Sequence, residues 1–359
     1  MSRVSLTRGR VVGLVLLALA LGAGVAGANG SSSLVAYNTY PLISDSSAVT
    51  APLADASLVN GWGLSASATS PWWTANNKTG TSTLYTGGGS KNALTVTVPG
   101  GPTGTVANSN TNAFVVGQGS AASSARFLFD TQAGTIMGWS PTVNATAAVT
   151  AVDSTSKGAV YDGLATLNDR LYAADFHNAR IDSFDAAFKP LSLPFVDKNI
   201  PAGWAPFNIQ ALNGNLYVAY AQQDKAKKNN VAGGGLGYVD EFSPDGALIA
   251  RVASKGNAKS PLNAPWGLAM APANFGAYSG DLLVGNFGNG RISAYQQRSD
   301  GKWVYKGQLR VANGTPITID GLWAIAFGNG SAAGPTNNLY FLAGPTGQSH
   351  GLYGFIAAG

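Results

Sequence analysis

Few side chains in this sequence can do chemistry, and most of those carry oxygen. His177 and His350 are the whole supply of imidazole, Glu241 is the single glutamate, and cysteine is absent. His177 stands two residues from Asp175, a spacing at which a carboxylate can orient an imidazole as a general base. Asn60, Asp162, Asn263 and Asp320 lead into apolar runs; Asn76-Asn77, Asp175-Phe176-His177-Asn178, Gln222-Gln223-Asp224, Asn286 and Gly344-Pro345 follow the next runs. Each such Asn or Asp also suits a turn, because it caps its own backbone and tolerates positive φ. Only convergence of several would mark a site. No Gly-x-Ser-x-Gly elbow, His-Glu-x-x-His helix or phosphate-binding glycine loop is present.

What must position these groups is a repeat. Its clearest copy runs from Pro265-Trp266-Gly267-Leu268 through Asp281-Leu282-Leu283-Val284 to Gly285-Asn286-Phe287-Gly288-Asn289-Gly290-Arg291-Ile292. It reads as strand, strand, polar turn, strand. Further copies begin at Trp62-Gly63-Leu64, Asp162-Gly163-Leu164, Phe207-Asn208-Ile209 and Leu322-Trp323-Ala324-Ile325, with a degraded one at Phe114-Val115-Val116. Six copies at roughly fifty-residue spacing match four-stranded propeller blades rather than a helical solenoid. The expected fold is therefore an all-β, six-bladed β-propeller spanning residues 29–359 as one domain. The last copy supplies three strands, and Leu34-Val35-Ala36-Tyr37-Asn38-Thr39-Tyr40 is expected to provide the fourth, removing an exposed sheet edge.

In propellers of this plan, the loop entering each innermost strand and the loop between the second and third strands share one face around the channel mouth. The oxygen-bearing segments named above map there, giving Asn76, Asp175, Gln222, Asp224 and Asn286 as candidate ligand contacts. Strand alternation places Trp62, Phe114, Phe207, Trp266 and Trp323, with Ala165 as the exception, on one face together with Leu64, Val116, Leu167, Ile209, Leu268 and Ile325. Both sets are expected between blades, although a ring of aromatics can also serve as a stacking platform for a sugar or another flat ligand. Gly63, Val115, Thr166, Asn208, Gly267 and Ala324 should then line the channel, where Asn208 and the following Gln210 send two amides that need polar partners, water or a ligand.

Outside the ring, Arg3, Arg8 and Arg10, the apolar run 11–21 and Ala26-Gly27-Ala28 form the three-part pattern of a secretory signal over residues 1–28. The run is shorter than the ~20 residues a membrane span needs, so the mature protein is expected in the periplasm or outside the cell with no membrane span. The formal charge of +5 shrinks on removal of those three arginines, which leaves 19 basic against 17 acidic residues. That balance excludes nucleic acid as the expected partner, and Lys225-Ala226-Lys227-Lys228 is too short a basic run to restore it. Without disulfides, the blade cores must hold the fold unaided.

The stretches Ala219-Tyr220-Ala221-Gln222-Gln223-Asp224, Trp266-Gly267-Leu268-Ala269 with 279–292, and Ile319-Asp320-Gly321-Leu322-Trp323-Ala324 resemble an uncharacterised family of exported bacterial β-propellers. Some members of that family carry a PEP-CTERM sorting tail, which is not expected for a chain ending at Gly359. More distantly the blades are similar to NHL repeats and to the gluconolactonase, paraoxonase and streptogramin-lyase propellers. That likeness implies a calcium ion at the channel mouth, with Asp162, Asn208, Asp320 and Asp175 as the ligands this chain offers. Calcium takes about six to eight oxygen ligands, usually with carboxylates, and Glu241 lies in an expected outer strand. The likeness also implies a propeller-face histidine in the lyases, for which His177 is the candidate.

Two loops stand out. Residues 225–237 are basic and then glycine-rich, and insert on the mouth face of the fourth repeat as an expected flap. Residues 95–124 read as loop. Two functions fit these features. One is a binding scaffold that holds a small molecule, protein or glycan at the channel mouth; the other is a metal-dependent hydrolase or lyase, lactonase-like, using the same face.

Overall fold

The protein is described by a computed structural model over residues 36–256 and 260–359; the leader reading of residues 1–28 falls outside it. Strands mostly of five to nine residues, separated by Gly, Asn and Pro turns, pair in chain order within each repeat. The described residues form six blades, each with its first strand innermost and its four main strands paired antiparallel. The innermost strands are Gly61–Ser65, Pro102–Ala107, Tyr161–Leu167, Trp204–Leu212, Pro265–Met270 and Leu322–Phe327, here taken as blades 1 to 6. Each packs against the next, and the sixth returns to the first. No helix among the described residues is long and apolar enough to cross a membrane.

The ring closes as the sequence predicts. Tyr37–Ser44 pairs antiparallel with Leu352–Ala358, so that the two ends of the domain share blade 6. Tyr37 secures the joint from a position that is almost fully buried. Its hydroxyl donates to the Phe275 carbonyl at 2.9 Å and accepts from the Tyr278 amide at 3.3 Å, and burial pushes its pKa up to about 12.

Blade 2 departs from the expectation. Its innermost strand is Pro102–Ala107, inside the stretch read as loop, whereas Val115–Val116 pairs with Ser123–Ser124 in a small inserted hairpin. Val115 is 48% exposed and lines no channel. The apolar Phe114-Val115-Val116 run had mimicked a repeat start, while the true strand, Pro-Thr-Gly-Thr-Val-Ala, has little hydrophobic signal. Proline is tolerated there because it opens the strand.

A second correction concerns the aromatic set. Every innermost strand carries a bulge at the equivalent point, seen as register shifts around residues 61–64, 102–105, 161–164, 206–208, 265–267 and 322–325. A bulge sets two residues against one on the partner strand and re-aims a side chain. Simple alternation therefore fails at this point. Trp62, Phe207, Trp266 and Trp323 turn toward the axis and meet one another across it. Trp62 and Trp323 stack at 3.6 Å between centroids, and Trp62 reaches Phe207 of the non-adjacent blade 4 at 6.2 Å. In blades 2 and 3 the same position holds Thr103 and Asp162. The aliphatic residues beyond the bulge behave as expected, with Ile209, Leu268 and Ile325 in clusters between blades and Leu164 taking the place given to Leu167.

The next residue of the bulge is small in five blades because neighbouring backbones touch there, Asn208 being the exception. The set is Gly63, Gly104, Gly163, Asn208, Gly267 and Ala324, with Gly104 and Gly163 replacing the expected Val115 and Thr166. A Cβ on Gly104 would overlap the Leu164 amide nitrogen, and one on Gly163 would lie 2.7 Å from the Asn208 Cα.

Candidate functional site

The aromatic layer lies between two cavities in the channel. Beyond it, a cavity of ≈ 180 Å³ is bordered mainly by aliphatic side chains and backbone, with Thr105, Asn208 and Gln210 among its polar side chains. The two amides share this face as the alternation argument requires. Asn208 Nδ2 donates to the Trp266 carbonyl at 2.8 Å, so one of its donors holds blades 4 and 5 together.

At the mouth, a cavity of ≈ 270 Å³ has Trp62, Phe207, Trp323 and Phe287 beneath it and Gln132, Asp162, Gln348, Lys78 and the 228–232 segment around it. Trp323 is sandwiched, stacking on Trp62 on one side and on Phe287 at 4.1 Å on the other. The turns of four blades build a continuous hydrogen-bonded belt over this floor. Asn60 is its keystone: Oδ1 accepts from Trp323 Nε1 at 2.9 Å, and Nδ2 donates to Asn77 Oδ1 at 3.2 Å and to Gln348 Oε1 at 3.1 Å. Asn77 Nδ2 continues to Gln132 Oε1 at 3.1 Å, and Gln132 Nε2 reaches Asp162 Oδ1 at 3.3 Å. Asn60 adopts φ +52°, the left-handed region that Asn enters more readily than most residues.

Asp162 is the buried carboxyl of this site. It occupies the ring position that four other blades give to an aromatic, and it is 1% exposed. Its Oδ2 has no hydrogen-bond partner, nor does Trp62 Nε1. Burial pushes the Asp162 carboxyl well above the usual carboxylate range; the Gln132 bond opposes the rise, and the charges of Asp130 and Asp175 add to it. Asp130, fully buried beside it, accepts from Thr103 Oγ1 and the Gly104 amide, and burial raises its pKa to about 6. No Lys or Arg nitrogen lies within 4 Å of Asp162 among the described residues. Lys78 and Lys228 stand exposed at the rim.

The other sequence candidates take up turn duties. Asp175 accepts from the Val160 and Asn178 amides and from Asn178 Nδ2, and burial raises its pKa against those bonds. His177 bonds through Nδ1 to the Lys227 carbonyl at 3.3 Å, so the expected pairing with Asp175 is not formed. Asn76 donates to Thr81 and Thr83, Asn286 ties its own turn to the Asn263 amide, and Asp224 caps the 225–229 turn through Lys228 and Asn229. The Asn229 bond holds the Asp224 carboxyl below its ordinary pKa. Gln222 is half-buried in the second strand of blade 4. Asp320 is exposed and accepts from the Thr346 amide at 2.7 Å. Asp162, Asn208, Asp320 and Asp175 thus point to different partners, and no cluster of three His, Cys, Asp or Glu forms among the described residues.

The 225–237 loop does reach the mouth, as expected. It is anchored rather than loose: Asn230–Val231 pairs with the second strand of blade 4, and the Gly233 amide donates to Asn263 Oδ1 at 2.7 Å. Gln132 and Gln348 were missed in the sequence. Gln132 sits in the second turn of blade 2, the one turn hidden by the misplaced repeat, and Gln348 comes from a short helical turn, Pro345–Gln348. A third missed feature is His350, whose Nδ1 meets Asp45 Oδ2 at 2.8 Å and so ties the closing strand to blade 6.

No protein-family profile matches the chain. Among solved structures, a structural genomics protein of unknown function from Bacteroides thetaiotaomicron superposes with a TM-score of 0.56 at 13% identity, covering 89% of this chain and 76% of that one. A glucose dehydrogenase gives 0.52 at 15% identity, over 84% and 98% of the two chains, and a streptogramin B lyase 0.50 at 9%, over 90% and 97%. At such identities these likenesses show the six-bladed fold alone. Nearer in sequence are uncharacterized proteins of Acanthamoeba polyphaga mimivirus. R648 is 34% identical over 76% of this chain and 69% of its own length, and L690 is 32% identical over 76% and 74%. These relatives are viral and lend no support to the bacterial membership implied by resemblance. The chain belongs to the propeller family that includes the mimivirus proteins R648 and L690.

Proposed function

We propose that the protein is an exported small-molecule receptor, placed in the periplasm or outside the cell by the 1–28 leader, whose mouth pocket holds a polyhydroxylated ring of about monosaccharide size. The observation that carries this reading is the pairing of an amide belt with two buried polar atoms that lack partners, both on pocket residues: the donor Trp62 Nε1 and the acceptor Asp162 Oδ2. A buried orphan donor or acceptor costs about 1–3 kcal/mol, and a hydroxylated ligand answers both kinds at once. The volume supports the size, since ≈ 270 Å³ is the space of about nine waters at ~30 Å³ each. Phe287, half-buried at the floor, would meet the C–H face of such a ring, while Gln132, Gln348, Asn229 and Asn230 meet its hydroxyls.

The hydrolase or lyase alternative would place chemistry at the same mouth, yet neither His177 nor His350 lines this pocket. The test is a monosaccharide panel titrated against tryptophan fluorescence and calorimetry, with Gln132→Ala and Gln348→Ala as variants checked for fold by circular dichroism. Binding that weakens about tenfold or more in both folded variants supports the pocket. Sugar affinity unchanged in both, or no binding at all, rejects it.

A further inference from the structure

We infer that the ligand presents a protonated amine to Asp162, which makes the preferred class amino sugars rather than neutral sugars; this rests on the pocket reading above. The argument begins with what Asp162 lacks. One of its oxygens takes a long bond from Gln132 Nε2 at 3.3 Å, and the other, buried, takes none. A hydroxyl would give that oxygen a single neutral donor. An ammonium brings three donors and the opposite charge, and charge-assisted hydrogen bonds are roughly twice as strong as neutral ones.

The surroundings agree on sign. Asp130 and Asp175 both lie close enough to act on the Asp162 carboxyl through their charge. Asp175 already has Arg180 within 3.5 Å, but Asp130 and Asp162 have no cation of their own among the described residues. Phe287, the ring at the cavity that keeps exposed surface, also favours a cation through its quadrupole. The exposed Lys78 and Lys228 are the remaining charged groups of the pocket. They stand exposed at its rim, where water and salt screen their charge.

Glucosamine, glucose and N-acetylglucosamine separate the possibilities, because they share a ring and differ at one substituent. Titrated calorimetrically into the folded protein at neutral pH, glucosamine should bind at least about tenfold more tightly than glucose, and N-acetylglucosamine no better than glucose. Asp162→Asn should erase the preference. Equal affinities for glucosamine and glucose in the unmodified protein overturn the amine while leaving the sugar pocket standing. A preference that persists in Asp162→Asn also overturns it, and failure of all three sugars to bind removes both readings. The unmodified protein alone decides the matter if Asp162→Asn does not fold.

Discussion

Replacing Asn60 by glycine tests the belt that shapes the mouth. Glycine takes φ +52° without strain, so the substitution removes side-chain bonds and leaves the backbone alone. Trp323 Nε1, fully buried, loses its acceptor, an orphan worth about 1–3 kcal/mol. The bond to Asn77 is buried and the one to Gln348 half-buried at the pocket, and each adds about 0.5–1.5 kcal/mol. Asn60→Gly should therefore cost about 2–6 kcal/mol. Asn60→Ala should cost about 1 kcal/mol more, because alanine is penalised in the left-handed region. Trp323→Phe keeps the ring between Trp62 and Phe287 but removes the donor, for about 1–3 kcal/mol. Both single changes break one shared bond, so the double variant should be less damaged than the two separate costs imply, by about 1 kcal/mol or more. Urea unfolding followed together by far-ultraviolet dichroism and fluorescence gives all four values. Costs that add to within about 0.5 kcal/mol would refute the claim that Asn60 and Trp323 act through each other.

Two further outcomes follow from the ring itself. The Asp130 carboxyl has a folded pKa of about 6 against 3.8 ordinarily, so the folded state binds its proton more tightly; that contribution is full below about pH 4 and lost as pH rises through 6. At 1.36 kcal/mol per pKa unit this is about 3 kcal/mol, and Asp130→Asn should flatten the fall in urea stability from acid to neutral pH, whereas parallel pH profiles would contradict the assignment. Gly104→Ala drives a methyl into the Leu164 amide; it should destabilise by about 1–3 kcal/mol and lower the melting temperature measurably, while an unchanged melting temperature would show that blades 2 and 3 can separate there.

The amino-acid sequence by itself determined the class of fold and the way it closes. Period-two apolar runs and Asn-Gly turns are local signals, and both Tyr37–Ser44 and the 225–237 insertion lie where those signals place them. It also identified which face would carry polar side chains. What it did not contain was the local geometry of the bulge, since an extra residue in a strand leaves no mark on composition yet turns Trp62, Phe207, Trp266 and Trp323 from the expected inter-blade core to the axis. Blade 2 was lost for the opposite reason, its inner strand being too polar to be read as one and an inserted hairpin apolar enough to replace it. The site depended on both errors. Gln132 belongs to the misplaced blade, and Asp162 faces the pocket because the bulge re-aims it, so the belt from Gln348 through Asn60, Asn77 and Gln132 to Asp162 exists only once turns far apart in the chain are brought around a common axis. Local preference fixes strands and turns; the meeting of turns from four blades is set by how the blades pack, and packing is a property of the whole ring.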